Sequence, residues 1–236
     1  MTNRELINAV LETASDKSGR LSQDPYWSKR LIFFFLKKYK NKIVREAIAT
    51  KNYPINRANY VTIPCIALDR VDQVECPCPP ASGFYFLKSK YPVPRALMGQ
   101  YTSVTTILGN VTIDYVRWDA IKDKLNSRFE WEKKLPFYTL KTINSKTYLY
   151  IYNDNDKELV AITSLFEDDL EAYYYPDCNG LVKVVCNPLD EMFVVDEVLL
   201  PAIIEITYEK LLKLKGVSTM DILNNETSDV STSTIK

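Results

Sequence analysis

The sequence predicts an α+β protein: an N-terminal helical hairpin and a C-terminal long helix packed with a central antiparallel β-meander. Apolar residues recur every three to four positions in residues 3–14, 24–50 and 196–215, which is the helical period. Between residues 102 and 165, short runs of β-branched and aromatic residues are separated by turn sequences, which is typical of antiparallel strands. Helical and extended patterns thus occupy separate stretches, which favours α+β over an alternating α/β fold.

Residues 24–50 form the longest predicted helix. Asp24 is its expected N-cap, and Pro25 occupies the first helical position, where proline is favoured. One face carries an apolar stripe of Ile32, Phe35, Leu36, Tyr39 and Ile43. The other face carries four basic side chains, which we call the basic face: Arg30, Lys37, Lys38 and Arg45.

The basic face has two interpretations. A run of like charges on a helix is usually the solvated side of a core helix. The alternative is a surface that docks on an acidic partner or lines a path for nucleic acid, since one basic helical face is a known footprint of such binding.

The first and last helices have recognisable ends. Thr2 or Asn3 can cap the helix predicted at residues 3–14. In the helix predicted at 196–215, Pro201 is expected to introduce a bend, and Gly216 is expected to end the helix.

Two hairpins define the centre of the predicted sheet. Residues 102–108 and 111–115 flank Gly109-Asn110, a two-residue turn sequence. Residues 137–143 and 147–152 flank a turn at 144–146, and a further strand follows at 159–165.

The remaining extended segments are less regular. Residues 60–68 are predicted as an edge or irregular strand, because Pro64 cannot donate a ladder hydrogen bond. Short strands are expected at 84–87 and 182–186, and a proline-stiffened connector at 71–80.

The predicted elements divide the chain into four parts. Residues 1–59 form an N-terminal helical part, and 60–187 form a β-rich lobe. Residues 188–223 supply a C-terminal helix that completes the helical part, and 224–236 form a polar extended tail.

Composition argues against several functions. The chain of 236 residues has no histidine and only six glycines, and it contains no phosphate-binding or nucleophile-elbow motif, so we expect no enzyme and no cofactor. The formal net charge of zero argues against a dedicated nucleic-acid binder. There is no apolar run of 18 residues and no signal-like N-terminus, so we expect no membrane association.

Five cysteines are present, and an odd count without a secretion signal favours free thiols. Cys76 and Cys78 form a C-x-C pair, which is one way to begin a zinc site. No second close pair and no histidine can complete it, so a proline-rich connector is the favoured interpretation and no metal is expected.

An acidic turn follows the strand at 159–165. Paired carboxylates can support metal-dependent or acid–base chemistry, which would make this an enzyme site. Carboxylates at a strand-to-helix transition also serve as helix caps and first-turn charges, and this structural interpretation is favoured. The residues concerned are Glu167, Asp168, Asp169 and Glu171.

The order of elements resembles a family. A short amphipathic helix precedes a long basic helix, a "CP" connector and a "PVP" segment; a β-meander then ends in Leu165-Phe166-Glu167-Asp168. The chain closes on a helix that starts with Asp196 and contains Pro201. This order is similar to head–tail connector proteins, also called neck, ring or adaptor proteins, of podovirus-like tailed bacteriophages of the crAss-like group.

The resemblance implies a structural virion protein made in the host cytoplasm. It would form a neck ring of twelve identical subunits between portal and tail and extend the DNA channel. Its partners would be the portal protein and other neck or tail ring proteins, and genomic DNA would pass without specific binding. The alternative function is a nucleic-acid-binding module that uses the basic helix at residues 28–45.

Overall fold

The computed structural model describes residues 1–18, 27–50, 57–71, 86–153, 158–182 and 187–214. The chain forms two compact units. The helical unit comprises Met1–Asn56 and Cys186–Lys236, and the sheet unit comprises Arg57–Val185. The three long helices lie in the helical unit and a mainly antiparallel sheet lies in the sheet unit, so the predicted α+β class is confirmed.

The described residues of the helical unit contain three long helices: α1 (Asn3–Ser18), α2 (Lys29–Thr50) and α6 (Leu200–Leu214). Short 3-10 helices at Pro188–Asp190 and Glu197–Leu199 precede α6. Each helix contributes its apolar face to one core, whose fully buried members include Leu6, Val10, Ile32, Leu36, Ile203 and Leu211.

Side chains cap the starts of these helices. The Thr2 amide donates to Oε2 of Glu5 (2.8 Å) and the Glu5 amide donates to Oγ1 of Thr2 (3.2 Å), a reciprocal capping box. The hydrogen bond from the Thr2 amide lowers the pKa of the Glu5 carboxyl. Oδ1 of Asp196 accepts from the Val198 amide (3.2 Å) at the start of the last helical segment.

The start predicted for the long helix is wrong. The helix α2 begins at Lys29, because Oγ of Ser28 accepts from the Leu31 amide (3.2 Å) and Trp27 packs into the helical core from outside the helix. The proposed cap at Asp24 and Pro25 lies outside the described residues.

The last helix begins later than the predicted residue 196. Helix α6 begins at Leu200, which places Pro201 in its first turn. Amides in the first turn have no partner within a helix, so proline costs no hydrogen bond there.

Seven strands form one sheet in the order β3-β7-β1-β2-β6-β5-β4. Only the β4–β5 pair is parallel. The strands are β1 (Val61–Val71), β2 (Phe86–Ser89), β3 (Ser103–Thr106), β4 (Asp114–Tyr115), β5 (Phe137–Ile143), β6 (Lys146–Tyr152) and β7 (Leu159–Ser164). The described residues of the sheet unit also form three short α-helices: α3 (Ile121–Leu125), α4 (Glu130–Lys134) and α5 (Asp169–Tyr173).

The strand β1 lies at the centre of the strand order, but its two neighbours pair with different parts of it. Val61–Ala67 pair with β7 and Leu68–Val71 pair with β2, so among the described strands the part with Pro64 has one partner, as an edge strand has. The predicted irregularity is present, because the pairing with β7 shifts register between Ile63 and Ile66, around Pro64. A bulge accommodates a residue that cannot donate a ladder hydrogen bond.

The β5–β6 hairpin turns more tightly than predicted. Asn144 and Ser145 alone form the turn, with φ of 49° and 64°, and Lys146 already belongs to β6, opposite Ile143. Two consecutive residues with positive φ are characteristic of a type I′ turn, whose twist matches that of the strands.

The hairpin predicted around Gly109-Asn110 is only partly formed. The amide of Thr106 donates to the carbonyl of Val111 (3.1 Å), so four residues form the loop, and Gly109 adopts a φ of 69°. Residues after the loop bridge to β3 at Thr112 and then pair in parallel with β5 as β4. This continuous segment therefore joins the two edges of the sheet.

A sequential meander would place β7 beside β6, whereas β7 lies between β3 and β1. After β4 the chain forms a 3-10 turn at Trp118–Ala120, which leads directly into α3. Most of the connector predicted at 71–80, the strand at 182–186 and the tail lie outside the described residues.

The cysteine prediction needs a correction. Cys65 in β1 and Cys178 after α5 form a disulfide, with Cα atoms 5.3 Å apart. The two residues are separated by 113 positions in sequence, and only the packing of α5 and its following loop near β1 brings them together. Cysteine spacing alone therefore could not reveal the pair.

Candidate interaction surfaces

Burial of the apolar stripe determines which side of α2 faces outward. Ile32, Phe35 and Leu36 are buried, and Tyr39 and Ile43 are half-buried. With 3.6 residues per turn, this orientation turns the opposite side outward. Arg30, Lys38 and Arg45 are exposed and Lys37 is half-buried, so the four predicted residues share one outward face.

An exposed aromatic ring lies within the basic face. Phe34 follows Arg30 by four residues and precedes Lys38 by four, and 59% of its surface is exposed. Residues four apart are neighbours on a helix surface, so the ring lies between these two cations. Sequence reasoning missed it because the triplet Phe33-Phe34-Phe35 reads as uniformly apolar, although one of three consecutive residues must point away from the core.

One lysine of α2 turns inward. Lys40 is only 5% exposed, and its Nζ lies 5.5 Å from the centroid of the Phe193 ring, a cation–π contact. Nζ of Lys37 lies 5.1 Å from the Phe33 ring of its own helix. The basic face thus contains only some of the basic side chains of α2.

The acidic turn lies in the sheet unit and caps a helix. Phe166 is buried, and the Glu167 amide donates to the carbonyl of Arg95 (3.0 Å). Oδ1 of Asp168 accepts from the Leu170 amide (3.1 Å) as the N-cap of α5, and Asp169 lies in the first turn. The structural interpretation of these carboxylates is supported by this geometry.

No group of three or more potential metal ligands occurs within the described part of the chain. Among the described helices, none combines the length and the apolar character that crossing a bilayer requires.

The cap at Asp168 can be tested directly. We expect Asp168→Ala to lower the free energy of unfolding by about 1 kcal/mol, because the Leu170 amide loses its acceptor. Asp168→Asn should retain most of the stability, since asparagine is an equally good cap. Urea unfolding of the two variants checks this, and an equal loss in both would contradict the capping role.

Comparisons with known proteins identify the family of this chain. Residues 5–230 match the family of phage tail ring protein 2. Ring protein 2 of Bacteroides phage crAss001 is 26% identical over 218 residues, which cover 89% of this chain and 90% of that protein. The resemblance drawn from the order of elements is therefore confirmed. The chain belongs to the phage tail ring protein 2 family and is a structural ring protein of a phage virion.

Proposed function

We propose that this chain forms a ring in the phage neck, between the portal and the tail, and that the ring extends the DNA channel. The observation that carries this proposal is the family match over residues 5–230, which spans both compact units. The ring would consist of twelve identical subunits and would be assembled from chains made in the host cytoplasm.

The two units suit two kinds of contact. The helical unit offers the basic face, with Arg30 and Lys38 on either side of Phe34, to an acidic surface of the portal or of a neighbouring subunit. A basic surface with a central aromatic side chain fits an interface, because Arg and aromatic residues dominate binding energy at protein contacts. The sheet unit would then contact other neck or tail ring proteins.

The charge balance suits a channel component. Lys and Arg together number 30 and so do Asp and Glu, so the formal net charge is zero. Tight binding of DNA requires neutralisation of many phosphates and is steeply salt-dependent. A neutral ring would let genomic DNA pass without specific binding, and the role is structural rather than enzymatic.

Charge reversal tests the basic face. We expect Lys37→Glu with Lys38→Glu and Arg45→Glu to reduce incorporation into particles by roughly tenfold or more, because like charges then face the acidic partner. The isolated variant should stay folded, since these side chains lie outside the helical core. The measurement is the amount of the chain in particles assembled with the variant supplied in trans.

A matched control reverses three exposed cations of the helical unit outside the basic face, Lys29, Lys42 and Lys213. This variant carries the same change in net charge and should be incorporated normally. Normal incorporation of the α2 variant would refute the docking role of the basic face.

A second candidate function is nucleic-acid binding by α2. The exposed ring of Phe34 among cations favours it, because aromatic side chains among basic residues are the usual platform for stacking bases. Titration of the free chain with single-stranded DNA at increasing salt tests it. Steeply salt-dependent binding that weakens in Phe34→Ala would support this function, and absence of binding at low salt would exclude it.

A further inference from the structure

One end of the sheet carries an exposed apolar surface. The ladder registers place the C-termini of β1, β3 and β6 at the same end as the N-termini of the other four strands. The chain enters the sheet unit at the opposite end, where β1 begins. Six exposed side chains lie toward the first end, in the loop after β3 and in the segment with α4 that precedes β5. We call this surface the apolar end: Ile107, Leu108, Val111, Phe129, Trp131 and Leu135.

The apolar end is large for a surface left in water. Leu108 is 85% exposed, Trp131 63% and Phe129 59%, and the rings of Phe129 and Trp131 contact each other with centroids 6.3 Å apart. At about 150–250 Å² per large side chain, the six expose on the order of 600 Å², the upper limit for the largest patch on a monomer. This area approaches the roughly 800 Å² per partner of a standard protein interface.

Two exposed cations flank the aromatic pair in sequence. Arg128 precedes Phe129, and Lys134 follows Trp131 by three residues. The acidic side chain of Glu132 accepts a hydrogen bond from Ser127 within the same segment (2.6 Å). A two-fold contact of the apolar end with itself would bring Arg128 and Lys134 against like charges and would give a dimer, not a ring.

A complementary surface lies at the opposite end of the same sheet. Residues 166–177, the acidic segment, follow the C-terminus of β7 and carry five acidic side chains and no basic one. Two exposed apolar side chains lie at the same end, Tyr173 and Met98. Tyr173 belongs to α5. Met98 is held nearby because the amide of Leu97 donates to the carbonyl of Leu165 (2.8 Å). An exposed cation, Arg95, lies beside this segment, because its carbonyl accepts from the Glu167 amide (3.0 Å). The acidic side chains outnumber it, so the two ends of the sheet differ in charge, and both expose apolar groups.

We propose that the apolar end of one subunit packs against the acidic segment of a second copy of this chain. This inference rests on the proposed ring, and it names the contact that closes the ring. Contacts between two different surfaces of identical subunits generate rings when the rotation closes. Pairing through strand edges is not required, because the segment after β3 already joins the two edges of the sheet.

A charge-swap experiment tests the contact. Variant A carries Arg128→Glu and Lys134→Glu, and variant B carries Glu167→Lys and Glu171→Lys; neither changes the Asp168 cap. In particles assembled on a phage lacking this gene, each variant alone should be incorporated at least roughly tenfold less than wild type. Co-expression of A and B should restore incorporation, because every contact in an alternating ring then joins opposite charges.

A second pair of variants tests the apolar contribution. Leu108→Asp should reduce incorporation, whereas Val198→Asp, at a similarly exposed position of the helical unit, should not. Thermal unfolding of each isolated variant establishes that it folds. If A or B unfolds, the single changes Lys134→Glu and Glu171→Lys replace the pairs in the same experiment.

The outcomes separate this inference from the proposed function. Normal particles from a phage without the chain would refute the ring role itself. Normal incorporation of A or B alone, or failure of co-expression to restore assembly, would overturn the contact while leaving the ring role intact. Loss in A with normal assembly in B would also overturn it, because the apolar end would then dock on a different protein.

Discussion

Replacement of Phe166 by alanine is expected to lower the free energy of unfolding of the sheet unit by about 3–5 kcal/mol. Phe166 is 1% exposed, and its ring centroid lies 6.0 Å from that of Tyr101 in the main core of the sheet. Phe166 also forms an isolated antiparallel β-bridge with Ala96, which restrains the surrounding backbone. The backbone can therefore move only partly into the cavity that the missing ring would leave. Cavity formation therefore adds to the lost burial.

Two controls make the Phe166 prediction specific. Phe166→Leu keeps most of the volume and should cost less than half as much. Phe129→Ala removes the same atoms from an exposed position and should change stability by no more than about 0.5 kcal/mol. Denaturant unfolding followed by tryptophan fluorescence in a Trp27→Phe background reports only the sheet unit, where Trp118 and Trp131 lie. Equal losses for Phe166→Ala and Phe129→Ala would contradict the core assignment.

Alkaline pH is expected to unfold the sheet unit. Burial raises the pKa of Tyr101, Tyr138 and Tyr175, because the phenolate form is disfavoured away from water. The hydroxyls donate to main-chain carbonyls: Tyr101 to Pro94 (2.8 Å), Tyr138 to Tyr101 (3.1 Å) and Tyr175 to Tyr91 (3.4 Å). Only the protonated form can make these hydrogen bonds.

The raised pKa values of the three tyrosines determine whether stability rises or falls with pH. The folded state holds these protons more tightly than the unfolded state, so the full stability is present below the ordinary tyrosine pKa of about 10 and falls as pH rises above it. Each tyrosine contributes a slope of about 1.4 kcal/mol per pH unit, and the three together about 4. We expect cooperative loss of the sheet unit between about pH 10 and 12.

Tyrosine-to-phenylalanine variants test the alkaline transition. Each of Tyr101→Phe, Tyr138→Phe and Tyr175→Phe should cost about 1 kcal/mol at pH 7 and reduce the slope above pH 10 by roughly one third. Stability is measured by urea unfolding at each pH in the Trp27→Phe background. Slopes that do not change in any of the three variants would show that other groups control the transition.

Local features of the fold could be predicted because their signals lie within one segment. The stripe of Ile32, Phe35 and Leu36 repeats with the helical period, and the structure buries all three. The β5–β6 hairpin was expected because its strands are adjacent in sequence, although its turn is one residue shorter. The carboxylates after β7 were expected to cap a helix, and Asp168 does so.

Long-range features could not be predicted because no local signal specifies them. The strand β7 pairs with β1, a partner roughly a hundred residues away, and such non-local pairings depend on the whole topology. The disulfide between Cys65 and Cys178 depends on the same arrangement. Pro64 correctly indicated an irregular part of β1, where the pairing with β7 shifts register. The pairing of Leu68–Val71 with β2, which makes β1 central in the sheet, had no such local signal.

The candidate surfaces, like the fold, could be predicted only where their signals are local. The four cations of the basic face were identified because charge and helical period suffice to place them. The exposed ring of Phe34 and the inward turn of Lys40 toward Phe193 required tertiary packing to be known. The apolar end could not be predicted for the same reason. Its six residues come from the segment after β3 and from the segment before β5, and only the strand registers bring these segments to one end of the sheet.

Native mass spectrometry tests the central claim most directly. The chain is measured alone and then in complex with the neck isolated from its particle. A closed homo-oligomer, or a fixed stoichiometry that matches the portal, is the result that the proposed ring predicts. A chain that remains monomeric and also fails to associate with any neck complex would contradict it.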